Sequence, residues 1–337
     1  MPLGITLSPL TAHPMDLKVG IGKTGLAMAI LIAFAMCLLN LLFNPVSIPH
    51  IQYGFCLPSP DSWGFDPFWS WCINTLLIGI IALLLFLVNK TYNFLRTTEP
   101  AYIAIFLIMA ASGPWFTSEL NTSVLLCLAN VVCLGIMFDT YASHNATQEV
   151  FIIGLVAGLG SMVQYAFLPM AVVYAIWILF MKVMRIKEAF AYAAGLFCPY
   201  WIALGTGWVR LSDFHFPSII PLFSFSQDPS EFFILLSCIA VAAVVGCLVT
   251  FLNFLKLYAG NSRVNAMNLC VSFLGAFSLI CILIDFDNMP AYVITLYMTC
   301  AIQLGNLCAL WNPSRPWMVT LWPSLLYIAA FVCSLVL

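Results

Sequence analysis

Apolar runs of about the length needed to cross a membrane follow one another along the whole chain, separated by short polar joints. A helix needs about 20 mainly apolar residues to span a bilayer, within a range of about 17–25. Of the 337 residues 63% are hydrophobic and 7% charged, and the mean hydropathy is +1.05. A soluble domain carries about a quarter charged residues, so the pattern excludes a water-soluble fold and predicts an integral membrane protein. The fold class expected is all-α: a polytopic transmembrane bundle of about 11 helices, within 10–12.

The runs place helices at Thr24–Phe43, Phe68–Val88, Pro100–Trp115, Thr122–Phe138, Val150–Phe167, Pro169–Met184, Ala189–Thr206, Phe232–Phe254, Met267–Ile284, Ala291–Leu310 and Trp317–Leu337. The third, fifth and sixth are short for a span, which predicts tilt, partial re-entry or burial among neighbours. Lysine and arginine accumulate on the cytoplasmic side of membrane proteins. With the N-terminus inside, Lys18, Lys23, Lys90, Arg96, Lys182, Arg185, Lys187, Lys256, Arg263 and Arg315 share one side, and only Arg210 falls on the other. A wrong helix count would scramble that division. It predicts a cytoplasmic N-terminal segment (1–23), a C-terminus outside, and a single membrane domain over 1–337. The expected location is the cell inner membrane.

The first run begins after about 23 residues, too late for a cleaved signal peptide. Most of the 13 cysteines lie inside apolar runs, where cysteine behaves as a small hydrophobe. There is no C-x-x-C pair, so nothing supports a metal centre. Cys56 and Cys72 flank the first outer loop, and a bridge between them stays open. A net charge of −2 without a basic block gives no hint of nucleic-acid binding; the expected partner is the lipid bilayer.

Soluble-enzyme motifs are absent: no P-loop, no G-x-S-x-G, no H-E-x-x-H. The uncharged polar residues Asn40, Asn74, Asn130, Gln164, Gln303 and Asn306 read first as glue between helices. The two long outer loops, 44–67 and 208–231, hold the candidate chemistry. Both are rich in proline and aromatics, which predicts surface caps with short interfacial helices near Pro60–Trp69 and Pro217–Phe223. Trp63, Trp69, Trp71 and Trp208 suit the headgroup level. In the first loop Asp61 and Asp66 stand five apart; either suits a general base or a divalent-cation ligand, and both also suit ordinary turn chemistry. In the second, Arg210 precedes Asp213 and His215. An arginine fork matches phosphate geometry, which makes Arg210, Asp213 and His215 a candidate anion or lipid-phosphate clamp. The plainer alternative is an Arg–Asp pair that steadies the loop.

Between Val150 and Trp208, Gly154 and Gly158 form G-x-x-x-G, and Ala157 with Ser161 repeats the spacing on a neighbouring face. Small residues so spaced let helix backbones approach closely in lipid.

The order N-T-L-L…V-N-K at Asn74–Lys90, N-T-S-V-L-L-C-L-A-N at Asn121–Asn130, G-L-V-A-G-L-G-S-M-V-Q-Y-A-F-L-P at Gly154–Pro169 and G-L-F-C-P-Y at Gly195–Tyr200 resembles an uncharacterised Bacteroidota family of polytopic inner-membrane proteins. It covers about Gly20 to Trp208. The same stretch is similar, more distantly, to membrane glycosyltransferases of the GT-C type, although their acidic pair soon after the first helix is missing here. That resemblance implies an envelope enzyme using a polyprenyl-phosphate-linked sugar at the outer face, with Asp61 or Asp66 catalytic, Arg210 on the lipid phosphate and a divalent cation as cofactor. Two other readings stand beside it: a non-catalytic scaffold that docks envelope-assembly proteins, and a lipid or solute transporter. A shortage of charge deep in the helices weighs against transport, and a lateral portal to lipid would weigh for it.

Overall fold

A computed structural model describes residues 23–43, 54–97, 99–216, 233–257, 261–311 and 316–336. Among these residues the chain is all-helical, without a strand. Twelve α-helices follow in order: α1 (Lys23–Phe43), α2 (Pro67–Tyr92), α3 (Ala101–Ala111), α4 (Pro114–Thr117), α5 (Thr122–Asp139), α6 (Thr147–Val163), α7 (Phe167–Phe180), α8 (Ile186–Gly205), α9 (Phe233–Leu257), α10 (Ser262–Ile284), α11 (Met289–Trp311) and α12 (Pro316–Val336). Seven of the described helices (α1, α2, α5, α9, α10, α11 and α12) are long and apolar enough to cross a membrane; α3, α6 and α7 are apolar but shorter. The protein is therefore a multi-pass membrane protein.

The expected third helix is broken in two. Gly113 takes an extended backbone, φ −101° and ψ 116°, and Pro114 opens α4. A residue before proline is pushed away from the helical region, and proline has no N–H to give the preceding turn. The break frees carbonyl groups inside the protein, where each needs a donor. Asn40 of α1 donates to Ala111 O and Thr117 Oγ1, Thr117 Oγ1 donates to Gly113 O, and both Asn74 of α2 and Asn121 donate to Phe116 O. Asn121 also caps α5 by accepting from Val124 N. Asn40 and Asn74, expected as glue, thus help to hold a discontinuous helix together. All 11 residues of α3 are buried, enclosed by α1, α2, α11 and α12.

Asn130 links three helices: its amide donates to Thr295 on α11, and its carbonyl accepts from Tyr174 on α7. Trp177 Nε1 donates to Cys270 O on α10, and Tyr327 of α12 to Cys238 O on α9. Trp71, expected at the headgroups, is 7% exposed and donates from Nε1 to Cys37 O of α1. Its position on α2 turns it inward, whereas Trp63, Trp69 and Trp208 are exposed.

Hydrogen bonds sort the joints into two ends. At one end Ala142 N donates to Met181 O, Arg185 to His144, Arg263 to Phe138 O, and Asn268 to Phe94 O. At the other, Phe55 N donates to Ser161 O, His215 N to Phe55 O, Leu120 N to Ser70 Oγ, and Asn288 to Tyr165. Arg96, Lys182, Arg185, Lys187 and Arg263 belong to the first end and Arg210 to the second, the division the charge pattern predicts.

The G-x-x-x-G face of α6 packs on α8, not on the neighbouring α7. A Cβ on Gly154 would stand 2.4 Å from Tyr192 O, on Gly158 2.3 Å from Leu196 O, and on Gly195 2.2 Å from Phe151 O. Ser161 and Tyr200 join their hydroxyls at 2.7 Å on the same interface. α8 reaches the bundle chiefly through α6 and shows Phe190, Phe197 and Trp201 outward. Three further boundaries differ from expectation. α6 ends at Val163, before Gln164; Pro169 lies in the first turn of α7 rather than opening it; and near Pro60 there is a single 3-10 turn (Pro60–Ser62). The helix expected at Pro217–Phe223 lies outside the described residues.

Candidate functional site

The two outer loops do meet. The first loop lays Gly54–Leu57 across the end of α6: Phe55 N bonds Ser161 O, and Cys56 N and Leu57 N both bond Met162 O. Gly54 permits this approach, because a Cβ there would stand 2.3 Å from Met162 O. The second loop closes over the same place through His215 N to Phe55 O. Met162, Ala203 and Val209 form a small apolar core under the junction, packed by Cys56, Tyr200 and Phe214.

Arg210 and Asp213 bracket a 3-10 turn (Leu211–Asp213) in that junction. The backbone N–H of Arg210 donates to Asp213 Oδ2 at 2.9 Å, and Ser212 Oγ to Oδ1 at 3.1 Å. Those bonds, with weaker help from the Arg210 and His215 charges, hold the Asp213 carboxyl below its usual range. Hydrogen bonding to the ionised form has that effect. Asp213 therefore fixes the turn, and Arg210 and His215 stand exposed beside it. The Cys56 thiol is pushed up, first by burial and second by the nearby Asp213 charge.

The acidic residues of the first loop sit elsewhere. Asp66 is the exposed N-cap of α2, and Asp61 lies in the Pro60–Ser62 turn, its side chain outside the described set. Among the described residues no hydrogen bond or ion pair links Asp66 to Arg210. Cys56 and Cys72 are both free thiols. The structure thus brings together Arg210, Asp213 and His215 with Phe55 and Cys56, and leaves Asp66 at the head of another helix.

A concavity of ligand size lies away from these loops. α9 and α10 each pack along α11 but only lightly on each other, so a cavity of about 580 Å³ opens between them. That volume falls within the roughly 300–1,000 Å³ typical of ligand pockets. On α10, Gly275 lets the helix close tightly on α11, where a Cβ would stand 2.7 Å from Thr299 Oγ1. On α9, Gly246 has no atom nearer than 3.7 Å to its would-be Cβ, and the space it leaves belongs to the cavity. Thr250, Ser272, Thr299 and Gln303 also line it, with Phe251 and Leu255 as exposed apolar residues of the same wall.

The wall presents few polar groups in need of partners. Gln303 Nε2 donates to Ser272 Oγ, Gln303 Oε1 accepts from Asn253, Ser272 Oγ donates to Asn268 O, and Thr299 Oγ1 to Leu296 O. With these bonds made inside the wall, an occupant meets mainly methyl, methylene and ring surface. Such a lining accepts an apolar chain and gives a charged group nothing to bind.

Gln303 was legible in the sequence only as interhelical glue, which it is. The cavity itself had no signal there, because its residues come from three separate helices and its volume comes from how those helices splay. The nearest clue is the single glycines of α9 and α10. No protein-family model, curated protein or solved structure matches this chain.

Proposed function

We propose that this chain is a lipid-handling protein of the cell inner membrane, with its N-terminus cytoplasmic, which takes the apolar chain of a membrane lipid into the cavity between α9, α10 and α11. The observation that carries the reading is the cavity's wall: about 580 Å³ of space lined mainly by apolar groups, with the polar side chains of Gln303, Ser272 and Thr299 hydrogen-bonded within the protein. An acyl or prenyl chain filling it would leave bulk lipid for a packed surface and gain dispersion contacts without stranding a polar group. The cavity lies against the middle of α10 and α11 and the second half of α9, and its exposed Phe251 and Leu255 would meet a lipid entering sideways from the bilayer.

The test uses the full chain in nanodiscs containing phosphatidylethanolamine with a diazirine in one acyl chain. Illumination should give adducts concentrated on α9–α11, and Gly246→Leu or Ala243→Phe, which fill the space, should remove most of them. Adducts spread evenly over the exposed faces of α1, α8 and α12 would overturn the reading.

A second reading, an outer-face transferase acting on a polyprenyl-phosphate-linked sugar for the cell envelope, is favoured by the junction of the two loops at Phe55 and His215. In that reading Arg210 would meet the phosphate at the junction, and Asp61 or Asp66, which sit elsewhere in the first loop, would have to reach the acceptor hydroxyl. If joint alanine replacement of Asp61, Asp66 and Arg210 leaves envelope glycans intact while deletion of the chain alters them, that reading fails.

A further inference from the structure

At the end that carries the two loops, α10 gives way to α11 through a 3-10 turn (Phe286–Asn288), and a set of polar groups is buried there. Asp285, 8% exposed, closes α10. Asn288, fully buried, donates from Nδ2 to both Asp285 carboxylate oxygens at 2.8 Å and also to the Tyr165 hydroxyl from the α6–α7 turn. One helical turn on, Tyr292 shares the face of Asn288 and is itself fully buried. Its ring hydroxyl lies within electrostatic reach of Asp285 and Tyr165.

Among the described residues Asn288 Oδ1 and Tyr292 Oη have no hydrogen-bond partner, and neither does either end of the Gln164 amide, fully buried next to Tyr165. Buried polar atoms left so are uncommon, and an unseen water or ion is a standing explanation. The groups gathered here are almost all oxygens: carboxylate, amide carbonyl and two phenols. Hard cations take oxygen ligands, and one buried carboxylate balances one positive charge.

We propose that Asp285, Asn288, Tyr292 and Tyr165 form a binding site for a single hard monovalent cation, with sodium as the fitting ion. Asp285 supplies the charge, Asn288 Oδ1 and Tyr292 Oη the neutral oxygens, and Tyr165 ties the site to the α6–α7 turn. A bound ion would couple α10–α11 to α6–α7 at one end of the bundle. The site does not depend on the lipid cavity, which lies nearer the middle of the same helices.

The test follows thermal unfolding of the purified full chain in choline chloride, with sodium, potassium or calcium chloride substituted at constant ionic strength. A ligand that binds only the folded state raises the unfolding temperature in a saturable way. Sodium should do so and choline should not. Asp285→Asn should abolish the shift, and Tyr292→Phe should weaken the apparent affinity about tenfold, a loss of about 1.4 kcal/mol. Equal stabilisation by all salts overturns the proposal and leaves the cluster to water; calcium acting in place of sodium overturns the monovalent assignment. If Asp285→Asn does not fold, Tyr292→Phe and Asn288→Ala, titrated by sodium-23 NMR line broadening, decide the matter, and unchanged broadening in both sinks it.

Discussion

The seam glycines of α6 and α8 and Gly246 of α9 do opposite things. Three glycines of the α6–α8 seam are filled by the partner's backbone: the space a Cβ would need at Gly154, Gly158 and Gly195 is taken by a carbonyl oxygen within 2.4 Å. On α9 the space at Gly246 is left open, with only the Cys300 side chain near, at 3.7 Å. One glycine face closes a seam and the other opens a room. Whether a small residue in lipid means contact or cavity therefore depends on how far the partner helix splays, which the residue itself does not encode.

The same substitution should have opposite effects at the two places. Gly158→Ala must push α6 off α8 and should cost about 3 kcal/mol, the upper end of ordinary overpacking; reversible unfolding in mixed micelles measures it. An unchanged stability would mean that α8 does not sit on α6 as described. Asn130→Ala comes next. It leaves the Thr295 and Tyr174 hydroxyls without the bonds that join α5, α7 and α11, at about 1–2 kcal/mol for buried groups left unpaired. The same assay reads this, and Asn130→Asp, which keeps an acceptor for Tyr174, should restore part of it below neutral pH. Gly246→Ala should be neutral or gain up to about 1 kcal/mol, because alanine is the better helix former and its methyl meets only ordinary contact.

The smallest effect concerns the loops. Asp213 carries a charge that raises the Cys56 thiol beyond what burial does. Asp213→Asn should shift the pH–rate profile of Cys56 alkylation to lower pH, by less than the share due to burial, once the exposed Cys247 and Cys333 are replaced. The carboxyl of Asp213 has a depressed value in the folded chain. Its support for the turn is therefore present above the ordinary carboxylate value of 3.8 and is lost as pH falls through the depressed value. Proteolysis between Trp208 and Phe216, followed from neutral to acid pH, tracks that loss.

These contrasts also mark how far the residues alone could be read. Apolar runs and the basic residues gave helix number and the two ends, because span length and charge asymmetry are local properties. The break at Gly113–Pro114 was spelled out in the dipeptide, yet the run looked unbroken because both sides are apolar. The partner of the α6 glycines was not legible, since G-x-x-x-G states that a helix comes close and not which one. The outer-loop residues were found as a group, but Asp66 and Arg210 belong to different helix ends, and spacing along a loop carries no information about that. In the sequence Asp285 is only an acid at the end of an apolar run; that it is buried with Asn288 and Tyr292, and tied through Asn288 to Tyr165 of the α6–α7 turn, is a matter of tertiary packing.

The enclosure of α3 bears on how the chain is made. Its 11 residues rise about 16 Å, roughly half the hydrocarbon thickness, so α3 is poorly suited to settle in a bilayer alone. Part of the wall that surrounds it is α11 and α12, synthesised almost 180 residues or more after it. The carbonyls loosened at the break, of Ala111, Gly113 and Phe116, are bonded by Asn40, Thr117, Asn74 and Asn121. Those partners all precede α11 and α12 in the chain, so the break has donors for its carbonyls before the wall around α3 is complete.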